Sequence, residues 1–96
     1  MMNITDSKES RAAQEFLMKS TKAFEAKIAR GKVNNIDISV CTQDETYTAL
    51  PRFQVVGSVE ITSPTGKLKT YGYHATVDVN LKDCTLASLE VEKPEE

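Results

Sequence analysis

The chain has no tryptophan, one histidine, two cysteines, three prolines and four glycines in 96 residues. Two cysteines fall short of the four or more that staple a small secreted scaffold. With no CxxC pair, and His74 as its lone imidazole, the chain cannot gather the usual soft ligands of zinc. No apolar run approaches the ~18 residues of a membrane span. Asp6, Lys8, Glu9 and Arg11 occupy the place where a secretory signal would be apolar. A formal net charge of −2 sets up no strong field for nucleic acid or anionic lipid. Phosphate-binding glycine loops, GxSxG and EF-hand spacing are absent too, so no cofactor or metal is expected. These absences imply a cytoplasmic protein with no membrane or nucleic-acid partner.

What is present is the composition of one small folded domain spanning 1–96, with 40% apolar and 27% charged residues. Asp6 and Glu9 have the spacing of a capping box, with Asp6 at the N-cap. Ala13, Phe16, Leu17, Ser20, Phe24 and Ile28 follow three and four residues apart, which predicts one amphipathic helix over about residues 7–30. Its length would be near 36 Å at ~1.5 Å per residue. Gly31 suits the left-handed position after a helix, and Lys27, Arg30 and Lys32 complement the carbonyl end of the dipole.

Beyond Gly31 the hydrophobic period shortens to two. Ile36, Ile38 and Val40 alternate with Asp37, Ser39 and Cys41, predicting a strand over about 34–42 with the first set inward. A second strand over 52–62 turns Phe53, Val55, Gly57, Val59 and Ile61 to one face. Ser63-Pro64-Thr65-Gly66 reads as a type I turn ending in a left-handed glycine bulge, which pairs residue 63 with residue 67. That register sets Phe53 against Val77, Val55 against Ala75, Gly57 against Tyr73 and Val59 against Tyr71. The opposite face then pairs Arg52 with Asp78, Gln54 with Thr76, Val56 with His74 and Glu60 with Thr70. The third strand covers about 67–79. A turn at Asn80-Leu81-Lys82-Asp83 leads to a fourth over 84–92, with Thr85, Ala87, Leu89 and Val91 inward, and a frayed tail at 93–96.

The expected fold class is therefore α+β, two layers, with one N-terminal helix on a four-stranded antiparallel meander. Cys41 and Cys84 would stand three strand spacings apart, about 14 Å, beyond the ~7 Å that a disulfide spans. No disulfide is expected.

A long helix followed by such a meander resembles the cystatin-like fold. The stretch Arg52-Phe53-Gln54-Val55-Val56-Gly57-Ser58-Val59 is similar to a strand of small bacterial cystatin-like domains of unknown function. The likeness covers residues 6–92 in order of elements, and it implies a fold more than an activity. Cystatin inhibitors carry Gln-x-Val-x-Gly at a hairpin tip. Here Gln54-Val55-Val56-Gly57 puts the glycine one residue early and in mid-strand, and the accompanying Pro-Trp hairpin has no counterpart.

His74 is the one base an enzyme could use, facing Glu90 if the last two strands pair 75 with 89. Asp44 with Glu45, and Asp78 with Asp83, read as solvated loop charge rather than acid–base or metal pairs. Charge is unevenly spread, +3 over residues 1–32 and −5 over residues 33–96. The helix leaves one sheet face uncovered, displaying Arg52, Gln54, Val56, Ser58 and Glu60 beside Thr70, His74, Leu86 and Glu90. The loop 42–51 adds Asp44, Glu45, Tyr47 and Leu50. The leading reading is a non-enzymatic binding module that uses this face or loop to engage a protein partner or a second copy. A cysteine-protease inhibitor of altered loop and a small enzyme using His74 in a pocket between helix and sheet are the alternatives.

Overall fold

A computed structural model describes residues 3–4, 7–28, 31–81 and 83–92. The element order is β1 (Asn3–Ile4), α1 (Lys8–Met18), α2 (Thr21–Ile28), β2 (Lys32–Gln43), β3 (Arg52–Thr62), β4 (Leu68–Asn80) and β5 (Asp83–Glu92). The strands form one sheet in the order β1-β2-β3-β4-β5. Strands β2 to β5 make the expected antiparallel meander, and β1 adds a short parallel edge against Val40 and Cys41. Both helices pack on one face, and the smallest extent of the molecule, 19 Å, suits two layers.

The single helix of the sequence reading is two. Ser7 caps α1 by accepting from the Ser10 N–H at 3.0 Å; the proposed Asp6 cap lies outside the described residues, as do Arg30 and the tail 93–96. The chain leaves the helix at Lys19–Ser20, where the Ser20 hydroxyl donates back to the Phe16 carbonyl at 2.7 Å. The Ser20 carbonyl then accepts from Ala23 and Phe24 to start α2. Ala13, Leu17 and Phe24 are fully buried, with Phe16 and Ile28 packed beside them, so the apolar stripe holds across the break. Phe24 meets Tyr73 edge to face, ring centroids 4.9 Å apart.

The β3–β4 hairpin has the register the turn chemistry predicts, from Arg52–Asp78 to Thr62–Leu68. Gly66 sits at φ 88°, and Ser63 N–H donates to the Lys67 carbonyl at 2.8 Å. Phe53, Val55, Val59, Ala75, Val77 and Val79 form the buried floor of the core.

Three register shifts alter the outer strands, one of them between Val33 and Asn35 near the start of β2. In β2 the register shifts between Ile38 and Val40, so Val40 faces away from the helices, beside Val56, and Cys41 turns inward beside Val55. In β5 the partner of Thr76 is Ser88 and that of Val77 is Leu86, which leaves Ala87 unpaired. Leu86 and Cys84 therefore pack toward the core, while Thr85 and Ala87 are exposed. Leu86 is thus not part of the uncovered face, and Thr85 and Ala87 do not belong to the inner one. An extra residue reverses every side chain beyond it because the strand period is two.

Candidate functional site

The loop 44–51 brings one end of the uncovered face together. The strands β2 and β3 separate after Gln43, and Asp44 N–H donates to the Arg52 carbonyl at 2.7 Å, closing the loop at its base. The Asp44 carboxylate folds back on its own chain, accepting from the Thr46 hydroxyl at 2.5 Å and its N–H at 3.1 Å. Its other oxygen accepts from Gln54 Nε2 at 3.1 Å. These hydrogen bonds hold the Asp44 carboxyl below its ordinary range.

Gln54 is the centre of a relay. Its Oε1 accepts from the Thr76 hydroxyl at 3.0 Å and lies 2.6 Å from His74 Nε2. Turning the amide over would aim its oxygen at the Asp44 carboxylate, so the orientation is set. An amide oxygen only accepts; His74 Nε2 therefore carries the proton.

Beside this relay Arg52 grips Asp78 with two hydrogen bonds, Nε to Oδ1 at 2.6 Å and NH2 to Oδ2 at 2.9 Å. The bidentate bond holds the Asp78 carboxyl below its ordinary range, burial opposing in part, and raises the guanidinium's affinity for its proton. The guanidinium carbon lies 3.6 Å from the Tyr47 ring centroid, so the ring of the loop stacks on the ion pair. Thr76 and Asp78 are buried although they face away from the helices.

Asp44 and Asp78 are therefore not free solvated charges. Of the residues expected on the outer face or the loop, the structure joins Asp44, Tyr47, Arg52, Gln54, His74, Thr76 and Asp78 in one neighbourhood, and adds Thr46. Val56, Ser58, Glu60, Thr70 and Glu90 lie on the same face further from the loop. Glu45 is exposed, and Leu50 is half-buried in an open cleft of about 360 Å³ that the loop forms with Gln43 and Pro51. The sequence analysis missed Val40, which only the β2 bulge turns outward; Asp37 and Glu92, on the outward phase of their strands as expected, flank Ser58 and Gly72 in the sheet rows.

His74 stands opposite Glu90 in the register, as expected. It is exposed on the face away from the helices, so a pocket between helix and sheet does not contain it. The Gln54–Gly57 stretch runs through the middle of β3 rather than round a hairpin tip.

The thiols lie on the helix side. Cys41 is fully buried, 3.4 Å from the Ser10 hydroxyl, and burial pushes its pKa up. Cys84 donates to the Ala12 carbonyl at 3.6 Å and is likewise raised by burial, with Asp83 adding to it. Both are free, with β3 and β4 between their strands. Among the described residues no three His, Cys, Asp or Glu side chains converge as a metal site requires, and no helix is long and apolar enough to cross a membrane.

No protein-family model, curated protein or solved structure matches the chain. The fold and the site define a two-layer α+β domain with one open sheet face and a pinned loop at its end.

Proposed function

We propose that this domain is a non-enzymatic binding module that engages a protein partner through the open sheet face and the adjoining loop 44–51. One observation carries the reading. The face away from the helices bears no other element of the described chain, yet its side chains at the loop end are locked by a relay from His74 through Gln54 to Asp44. A surface organised in this way is ready to bind with little loss of side-chain entropy. Val56, 41% exposed, supplies an apolar point next to the relay, as interface cores do.

The cystatin-like reading of the architecture belongs to the same proposal and rests on the order of its elements. A reducing, cytoplasmic setting is the counterpart for a domain whose two thiols are free.

The test compares wild-type protein with Val56→Arg on the open face and Lys22→Glu on the helices, each checked for native circular dichroism. A partner retained by wild type and Lys22→Glu but lost by Val56→Arg supports the proposal. Binding that ignores Val56→Arg, or that Lys22→Glu abolishes, overturns it.

A further inference from the structure

Away from the loop the open face changes character. Val40, Val56, His74 and Glu90 occupy one row across the sheet, and Asp37, Ser58, Gly72 and Glu92 occupy the next. Glu60 stands one row further, beside Asn35 and Thr70. The floor between the carboxylates is low. Gly72 has no side chain, and a Cβ there would find only a Glu92 carboxylate oxygen, 3.7 Å away.

Among the described residues no lysine or arginine pairs with Asp37, Glu60, Glu90 or Glu92. Of the cations described on this face, Arg52 is held by Asp78, and Lys32 stands opposite Thr62, one row beyond Glu60 and away from Glu90 and Glu92. Asp37, Glu90 and Glu92 are exposed, so their charge is open to a cationic partner.

We infer that the occupant of this face is an extended, cationic polypeptide segment, an inference that rests on the binding-module reading above. Glu90 and Glu92 are two residues apart on one face of β5, a spacing of about 7 Å. Alternate side chains of an extended segment have the same period, so lysines or arginines at i and i+2 meet the two carboxylates in turn. Val40 and Val56 then receive an apolar side chain, giving the patch a part that salt does not screen. A second copy is disfavoured because a two-fold pairing of this face sets the same carboxylates against one another. Phosphate-bearing ligands meet the same repulsion.

The test is an NMR titration of the ¹⁵N-labelled full chain with a short peptide alternating Lys and Val, and with its Glu-for-Lys counterpart. The expected result is saturable shifts at Ser58, Gly72, Glu90 and Glu92 with the lysine peptide alone. Affinity should weaken about tenfold or more in a Glu60→Lys/Glu90→Lys/Glu92→Lys variant. Should that variant fold poorly, Glu90→Gln/Glu92→Gln gives a milder loss in the same direction. Unsaturable shifts, shifts confined to the helices, or undiminished binding by the variants overturn the cationic inference. Capture of an acidic segment or a second copy on this face overturns it too, but leaves the binding-module reading standing. A natural partner that ignores Val56→Arg overturns both.

Discussion

The hydroxyl of Tyr73 donates to the backbone carbonyl of Asp37 at 2.8 Å, reaching across β3 over Gly57. The bond joins β4 to β2 and seals the β2 bulge from beneath. Burial, with Asp37 and Cys41 adding to it, raises the phenol far above its ordinary range, so it donates at every physiological pH. A Cβ on Gly57 would lie 1.9 Å from the Asp37 carbonyl oxygen and 2.9 Å from the Tyr73 hydroxyl. Gly57→Ala is therefore expected to cost about 2–4 kcal/mol, because backbone must move. Tyr73→Phe removes the hydrogen bond alone and is expected to cost about 1 kcal/mol. Urea unfolding of the two variants checks the order.

Arg52→Lys is expected to loosen the loop without unfolding the domain. A lysine ammonium cannot make two parallel bonds to Asp78 while stacking on Tyr47. Amide hydrogen exchange at Thr46 and Tyr47 should accelerate, while exchange at Val55 and Val77 in the core is unchanged. Equal protection in both proteins would show that the stack does not pin the loop.

Acid should destabilise the domain through two carboxyls. Asp44 and Asp78 bind protons more weakly folded than unfolded, so the unfolded chain gains more protons as pH falls. Their contribution is full above the ordinary Asp value of 3.8 and is lost as pH drops through the lower folded values. An Asp44→Asn/Asp78→Asn variant should show a shallower fall in melting temperature below pH 4, as followed by circular dichroism.

Leu81 occupies the left-handed region at φ 59° and is 92% exposed, in the tight turn between paired Asn80 and Asp83. A leucine there holds an unfavourable backbone conformation and gains no burial in return. Leu81→Asn or Leu81→Gly is expected to stabilise the domain by about 0.5–1 kcal/mol. Thermal melts give the answer.

The thiols should react in order. Half-buried Cys84 borders an open cleft, whereas Cys41 is fully enclosed behind Ser10, and burial raises both. A maleimide reagent is expected to label Cys84 first and Cys41 only as fast as the protein opens. Mass spectrometry of timed samples resolves the two sites.

Much of this was legible in the residues. The Ser63–Gly66 turn set the β3–β4 register, and with it the pairs Arg52–Asp78, Gln54–Thr76 and Val56–His74 that underlie the site. The helix break was not read from the sequence: Ser20-Thr21, two residues that compete with the backbone or resist helix, were its only mark, and the apolar stripe runs through them unbroken. The relay was not legible. Pairing places Gln54 beside Thr76, but only the path of the loop brings Asp44 back over β3.

Local chemistry determined the element types, the hairpin register and the apolar faces of the helices and β3 and β4, because turn geometry and period act within a few residues. Tertiary structure decided where β2 and β5 bulge, which cysteine and leucine turn inward, and that the loop carboxylate reaches Gln54. A bulge adds one residue with no mark in the pattern; its place is set by how two strands meet a twisted sheet and its helices. That choice moved Val40 to the open face and took Leu86 away from it.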